Sequence, residues 1–405
     1  MTTEPIATLL ARVDDALAAR DRLRRRPLGD TVAALAAAGE RWRHDAQLVA
    51  ELPAAARLSP AMIAEILPHV ADALDVAVMT KMLEADAGAG AAERPPADGP
   101  ALVAHVVASN VPALANPAIA LGCLAGAAVL VKSGRDDRLS APAFHRALRD
   151  VDPALADTVV AVYWPGGDVA REHALLRRAD VVVVTGRART IDDVTARASR
   201  RIVTHGPRVS AAVVGRDADQ DEAAAALALD VALYDQRGCL SPHAVYVERE
   251  PARFAARLAG ALDAVAMRLP AGDAPIDERA AARLDAAEAE WAGTTEVLAR
   301  PGGTVLYERE VAAVVPTRGH RTVRVHPLTD LAALAALVPA GEIECVGGAG
   351  IDPEALAAAL RGRGVSRICP LGRMQRPRLS WPRGQRAPLG VLLGRNDGPV
   401  LEVEA

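Results

Sequence analysis

The chain has 405 residues, 51% of them apolar and only 2% aromatic, and its 47 basic and 51 acidic side chains leave a net charge of −4. That length and apolar share can bury two or three cores. The near-neutral charge, with no basic stripe interleaved with aromatics, gives no electrostatic case for nucleic-acid binding.

Residues 1–86 read as helices, with apolar spacing near 3.6 at Ala7, Leu10, Val13 and Leu17 and again at Val32 and Leu35. Asp14 and Asp15 put charge where a signal peptide would be apolar. Residues 87–100, rich in Gly and Pro, form a connector. The uncharged stretch Val111–Val131 is long enough to span a bilayer. Pro112, Pro117, Gly122 and Gly126 interrupt it, so it reads as a helix running into a buried strand, with no membrane span.

From residue 101 short apolar runs alternate with helical stretches. The runs are Leu102–Ala108, Ala128–Val131, Val159–Val162, Val181–Val184 and Val209–Val214. Between them lie the helical stretches Pro117–Ala125, Ala141–Arg149, Val169–Arg178 and Ile191–Ser199. Strands without polar alternation are covered on both faces, which means a parallel sheet with helical crossovers. The ligand of such a doubly wound domain lies at the carboxyl ends of its strands. Helix Asp221–Leu233 leads into the polar turn Tyr234–Pro242, and a second βα series follows. It comprises strand Ala244–Val247, helices Ala252–Met267 and Glu278–Ala292, strand Val323–Val325, helix Leu328–Leu337, strand Ile343–Val346, helix Pro353–Arg361 and strand Arg367–Cys369. The expected organisation is a helical region and connector over 1–100, a cofactor-binding α/β domain over 101–234, a second α/β domain over 235–370 and an extended segment over 371–405.

Four cysteines, Cys123, Cys239, Cys345 and Cys369, sit far apart without paired metal-ligand spacing, a disulfide framework is not expected in so long a chain, and a reducing cytoplasm fits better. Three lie in apolar or strand contexts and read as small buried hydrophobes. Cys239 differs, because it follows a helix and sits in a turn after Gln236, Arg237 and Gly238, where a neighbouring cation favours the thiolate. No Gly-x-Gly-x-x-Gly follows the first strand, so the usual dinucleotide fingerprint is missing. Three other strand-end turns stand in its place: Ser109-Asn110-Val111-Pro112, Lys132-Ser133-Gly134-Arg135 and Thr185-Gly186-Arg187. Only Lys81 and Lys132 among the 47 basic residues are lysines, so a lysine in such a turn asks for a reason.

Asn110, Lys132, Gly186 and Cys239 match, in order and approximate spacing, the pattern of the aldehyde dehydrogenase superfamily. The strings Asp235-Gln236-Arg237-Gly238-Cys239-Leu240-Ser241-Pro242 and Cys369-Pro370-Leu371-Gly372-Arg373-Met374, with Leu379-Ser380-Trp381-Pro382, resemble its bioluminescence-type fatty acyl-CoA reductase branch. The resemblance covers roughly 101–385. It implies an aldehyde dehydrogenase-like fold, with two doubly wound parallel-sheet domains and the active site between them. It implies that Cys239 is the acyl-carrying nucleophile and that Asn110 donates to the oxyanion. It also implies that Lys132 holds the adenosine ribose of a nicotinamide cofactor.

Where NAD-preferring relatives place a Glu three residues after that lysine, this chain has Arg135. Arg can pair bidentately with a 2′-phosphate, which points to NADPH. Ser133 is expected to help hold that phosphate, Arg187 to reach the pyrophosphate, Thr185 and Gly186 to border the cofactor, and Gly166 to let the backbone approach it. The stretch Val203–Arg208 carries Thr204 about where hydrolytic relatives carry the Glu that activates water. An acyl-enzyme without that base persists for transfer to or from a thiol. His205 is a candidate acid or base, and a histidine that merely closes its loop is the other reading. His243 is a weaker candidate.

The resulting expectation is NADPH-dependent reduction of an acyl-CoA, or of another acyl thioester, to the aldehyde. The donor can equally be an acyl carrier or an acyl-transferring partner protein. The alternatives are a CoA-acylating aldehyde dehydrogenase working oxidatively and a non-catalytic scaffold. A homo-oligomer is expected from the family.

Overall fold

The computed structural model describes residues 4–93, 96, 99–198, 200–395 and 398–404. Part of the expected connector, and Ser199 at the end of one expected helix, lie outside the described residues.

Five helices precede the first strand: Ile6–Leu23, Leu28–Trp42, Ala46–Ala56, Pro60–Asp72 and Val76–Ala87. Their starts follow capping chemistry. The side chains of Asp45, Ser59 and Asp75 accept the backbone N–H groups of Leu48, Met62 and Val78, each three residues on. Pro60 takes the first helical position, where a missing N–H costs nothing.

Strands β1 (Leu102–Val106), β2 (Ala128–Lys132), β3 (Val159–Val162), β4 (Val181–Thr185) and β5 (Arg201–His205) form a five-stranded parallel sheet in the order β3-β2-β1-β4-β5. The remaining strands are β6 (Val209–Val214), β7 (Pro242–Val247), β8 (Thr295–Arg300), β9 (Gly303–Glu308), β10 (Thr322–Pro327), β11 (Ile343–Ala349), β12 (Arg367–Pro370) and β13 (Glu402–Val403). They form an eight-stranded sheet in the order β13-β12-β11-β6-β7-β10-β9-β8, parallel throughout except for the β8–β9 hairpin.

Alternate residues of each strand feed opposite cores, which is why the strands read as unbroken apolar runs. Leu102, Ala104 and Val106 pack with Leu9, Val13 and Ala16 of the first helix. Val103, Val129 and Val181 face a core shared with the second to fifth helices and with Val214 and Val245 of the other sheet. The far face of the eight-stranded sheet buries Val213 and Tyr246 against Leu334 and Leu356. The first helix therefore closes the outer face of the five-stranded sheet.

Three sequence expectations are corrected. Val209–Val214, read with the first sheet, pairs with β7 and β11 in the second. Only Gly206-Pro207-Arg208 separate β5 from β6, so the chain changes sheet within three residues. Second, β5, β8 and β9 were not expected, since each carries polar residues on a partly exposed edge region. Third, the stretch after 370 is not simply extended. It contains helix Pro388–Leu393, which packs on helices Val76–Ala87 and Ala115–Leu124 beside the first sheet. The segment Val111–Val131 resolves into a turn, helix Ala115–Leu124 and β2. Among the described residues no helix is long and apolar enough to cross a membrane.

Candidate active site

Helix Gln220–Ala232 stops at a turn whose backbone is unusual. Tyr234, Asp235 and Gln236 have φ of 58°, 50° and 62°. Three consecutive non-glycine residues in the left-handed region store roughly 1–3 kcal/mol each and persist only where the surroundings hold them. Here the surroundings do. The Asp235 carboxylate accepts Nε and Nη2 of buried Arg321 at 3.0 and 2.8 Å and the Gly272 N–H at 2.9 Å. The Gln236 amide donates to the carbonyls of Pro242 (2.9 Å) and Thr322 (2.7 Å) and accepts the Thr322 N–H (2.7 Å).

The turn delivers Cys239, half-buried, to a cavity wall. Its carbonyl accepts Ser210 Oγ at 2.8 Å, and that hydroxyl accepts the Cys345 N–H at 3.1 Å. Beneath the turn, buried Asp230 accepts the N–H groups of Gly372 (2.6 Å) and Met374 (3.0 Å), and burial pushes its carboxyl up to about 7. Gln375 donates to Ser241 Oγ at 2.5 Å. The Cys239 turn and the tail string are thus two parts of one hydrogen-bonded unit.

The cavity, about 1100 Å³, runs between the sheets. Asn110, Lys132, Arg135, Gly166, Thr185, Gly186, Arg187, His205 and Cys239 all line it. Ser133 does not: it is buried, and its N–H donates to the Val162 carbonyl at 2.9 Å. The turns after β1 and β2 touch, since a Cβ at Gly134 would stand 2.5 Å from that of Ser109. Asn110 donates from Nδ2 to the Arg237 carbonyl at 2.6 Å, so it sits against the Cys239 turn with a second amide hydrogen left over.

At the other end, Arg135 and Arg187 are exposed to the cavity. Among the described residues, Lys132, Arg135 and Arg187 have no carboxylate within ion-pair distance. Burial pulls the Lys132 ammonium down, and Glu172 partly restores it. The turn at Gly166 is open, and a Cβ added there would meet no atom within 4 Å. Three carboxylates (Asp136, Asp235 and Glu278) share the described walls with ten arginines and Lys132, so the cleft attracts anions. Part of the wall is apolar, with Val70, Ala73, Pro117, Ala118, Leu121, Leu379 and Val391 among its lining residues.

The electrostatics near Cys239 differ from the sequence expectation. Arg237 is not the neighbouring cation. Its guanidinium turns away, donating to the Ala56 carbonyl at 2.9 Å and approaching Glu278 at 3.8 Å. Burial pushes the Cys239 thiol up, Arg383 and Arg208 oppose that, and Glu344 adds to it. His205 is held well below its ordinary value by burial first and then by Arg383, Arg386, His105 and Arg208, so it is a neutral imidazole at physiological pH. His243 accepts the Thr317 N–H on Nδ1 at 3.1 Å, and burial pushes it down to about 4. Cys123, Cys345 and Cys369 are buried.

Thr204 is absent from the cavity wall, while His205 beside it on the strand lines it. None of the three wall carboxylates is unengaged. Asp136 accepts Ser109 Oγ, Asp235 pairs with Arg321 and Glu278 lies near Arg237. Glu344 binds the Gly384 N–H at 2.9 Å, the Ser366 hydroxyl and, at 3.4 Å, Arg208. Arg383, Arg208 and Glu344 were missed in the sequence, where one arginine among dozens carries no local signal.

A family model described as Acyl-CoA reductase (LuxC) matches residues 24–384. Among curated relatives, the chain is 26% identical over 233 residues to a long-chain acyl-protein thioester reductase of Vibrio harveyi, covering 56% of this chain and 49% of that protein. It is 28% identical over 239 residues to the protein of the same name from Aliivibrio fischeri, again covering 56% and 49%. The chain thus spans about half the length of these curated relatives. Solved structures with the same fold include the NADP-dependent glyceraldehyde-3-phosphate dehydrogenase of Bacillus halodurans in complex with NADP. It has a TM-score of 0.74 at 15% identity, over 97% of this chain and 90% of that one. An NAD-dependent benzaldehyde dehydrogenase of Corynebacterium glutamicum gives a TM-score of 0.72 at 16% identity, over 91% and 86%. The fold is that of the aldehyde dehydrogenases.

Proposed function

The chain belongs to the acyl-CoA reductase (LuxC) family, and from that premise we propose that it reduces an acyl thioester to the aldehyde, with NADPH as reductant and Cys239 as the acyl carrier. The observation that carries the reading is a single cavity whose walls include Cys239, Asn110 and three strand-end cations but, among the described residues, no unengaged carboxylate.

The Cys239 thiolate attacks the carbonyl carbon of the donor thioester. A carbon–sulfur bond forms to Cys239, the bond to the donor sulfur breaks, and the donor leaves as a thiol after taking up a proton. Asn110 Nδ2 and the Cys239 backbone N–H donate to the oxyanion, and one such donor is worth roughly 3 kcal/mol of barrier. With no wall carboxylate free to deprotonate water, the Cys239 thioester outlasts hydrolysis. The walls also fit a dinucleotide phosphate: among the described residues Lys132, Arg135 and Arg187 have no carboxylate within ion-pair distance, and the open turn at Gly166 admits a close backbone approach. Arg135 favours the 2′-phosphate of NADPH. NADPH, when bound, supplies the hydride. Asn110 again holds the oxyanion as the hemithioacetal on Cys239 collapses, which frees the aldehyde and returns the thiolate. His205, a neutral imidazole on the same wall, is the candidate for taking up or releasing a proton.

The relatives named above act on long-chain acyl-protein thioesters by their names. We extend that donor class to this chain, with the apolar part of the wall around Leu121 and Val391 receiving the hydrocarbon. The test is incubation of the purified protein with acyl-CoAs and acyl-carrier thioesters without reductant, followed by intact mass. An adduct on Cys239 that disappears on adding NADPH, with aldehyde released, supports the proposal. Absence of any adduct, with Cys239→Ala indistinguishable from wild type, replaces it with a scaffold.

A further inference from the structure

Reactive cysteines of Cys–His pairs take the charge that stabilises their thiolate from an imidazolium. Here that source is missing, because burial and four basic neighbours keep His205 neutral. The charge must come from elsewhere on the cavity wall. Among the cations there, Arg237 faces away and Arg208 already sits 3.4 Å from Glu344.

Arg383 remains. It lies in the short turn Arg383–Gln385 of the tail, after Trp381 and Pro382. That turn is fixed at three points. The Gly384 N–H donates to Glu344 at 2.9 Å, Trp381 Nε1 donates to Ser366 Oγ at 3.0 Å, and the Arg383 N–H donates to the Trp381 carbonyl at 2.9 Å. The guanidinium lies over the Trp381 ring, 5.8 Å from its centroid, and Nη1 donates to Thr185 Oγ1 at 3.4 Å. It is half-buried, lines the same cavity as Cys239 and His205, and has no carboxylate within ion-pair distance among the described residues. A partly desolvated guanidinium facing a cavity without a counter-ion is favourable there only if an anion forms opposite it.

We propose that Arg383, carried on the tail that crosses the cleft, is the cation that stabilises the Cys239 thiolate, a positioning residue that acts on the reaction through Cys239. The inference rests on the reading of Cys239 as nucleophile. The charged and titratable groups around that thiol are Arg383 from the tail, Arg208 from the link between β5 and β6, and Glu344 from β11, with neutral His205 and His243 on the same wall. Glu344 opposes ionisation and Arg208 is partly spent on Glu344, which leaves Arg383 as the effective partner. The thiol proton goes to solvent.

The test follows alkylation of Cys239 by iodoacetamide in the full chain, by intact mass, from pH 6 to 10. Carbon–sulfur bond formation expels iodide and needs only the thiolate, so the readout does not require turnover. Cys239→Ala gives the background from the buried cysteines. For Arg383→Gln the midpoint of the rate–pH curve rises by about one unit and the rate at pH 7 falls about tenfold, with the alkaline plateau unchanged. Arg383→Lys recovers part of the shift, since it keeps a point charge without the planar stacking. Arg237→Gln overlays wild type. The proposal is overturned if Arg383→Gln overlays wild type, or if it lowers the plateau without moving the midpoint, which would mean lost access to the thiol. It is also overturned if Arg383→Gln raises the KM for NADPH while the alkylation profile stays put, which would make Arg383 a cofactor ligand. Failure of the acyl adduct to form in wild type removes the proposed function and leaves the alkylation result standing.

Discussion

On the five-stranded side of the cleft, Lys132, Arg135 and Arg187 stand at strand ends with no carboxylate within ion-pair distance among the described residues. On the eight-stranded side, Asp235 and Gln236 are buried and bonded to Arg321, Gly272, Pro242 and Thr322, and hold a left-handed backbone. The difference fits the proposed function. Groups that exchange a phosphate-bearing ligand work best left wanting a partner, whereas a thiol that carries a covalent acyl group has to stay in place through several steps. The first wall gains affinity from unmet charge. The second gains geometry from charge already met.

Removing Arg321 should break that comparison most severely. Arg321→Ala leaves the Asp235 carboxylate buried without its cation, at a cost of roughly 3–5 kcal/mol. Urea unfolding reads the loss directly. Arg135→Ala, by contrast, should move the same curve by less than about 0.5 kcal/mol, as an exposed site does. Equal losses for the two variants would refute the division of labour.

Next in size is Asn110→Ala, which should lower kcat on the order of 10²–10³-fold with the fold intact. Single-turnover decay of the Cys239 acyl adduct after NADPH addition measures it. A loss confined to KM would instead make Asn110 a binding residue. Arg135→Ala should raise the KM for NADPH about tenfold and leave that for NADH unchanged, the worth of one charge-assisted contact. Steady-state kinetics with both cofactors decide that point.

The smallest effect concerns His243. Its folded value is depressed to about 4 from 6.5. Its stability contribution is therefore complete above pH 6.5 and is lost as pH falls from there towards 4, because the unfolded chain binds a proton that the folded one refuses. The slope from this one group is at most about 1.4 kcal/mol per pH unit. His243→Asn keeps an acceptor for the Thr317 N–H and should flatten part of the slope in urea midpoints between pH 7 and 5. An unchanged slope would show that the other buried histidines account for it.

Much of the architecture was legible in the sequence because parallel strands covered on both faces leave unbroken apolar runs. Val159–Val162 and Val209–Val214 were bounded to the residue. Sheet membership was not legible. Nothing local tells Val209–Val214 that it pairs with β7 and β11 once the chain has passed Gly206–Arg208. The hairpin of β8 and β9 escaped because each strand carries only a three-residue apolar run, Val297–Ala299 and Val305–Tyr307, flanked by polar residues on either side of Pro301-Gly302-Gly303. In the site, the rare lysine at 132 and the turn around Cys239 stood out by type and context. Arg383 did not, since arginine is common here and its neighbourhood is assembled from the tail, β11 and the end of β4. Ser133, chosen for its hydroxyl, proved to lie inside the protein.

The chain crosses between the sheets at Gly206–Arg208 and reaches back through the tail, where helix Pro388–Leu393 anchors by the Leu389 N–H donating to Asp86 at 2.8 Å and by Arg201 donating to the Leu392 carbonyl. Two attachments at separate points tie the walls together. Each tie resists sliding of one wall of the cleft past the other. Arg208 lies at the first tie and Arg383 on the tail that leads to the second, so both arginines beside the Cys239 turn are carried on segments that join the two walls.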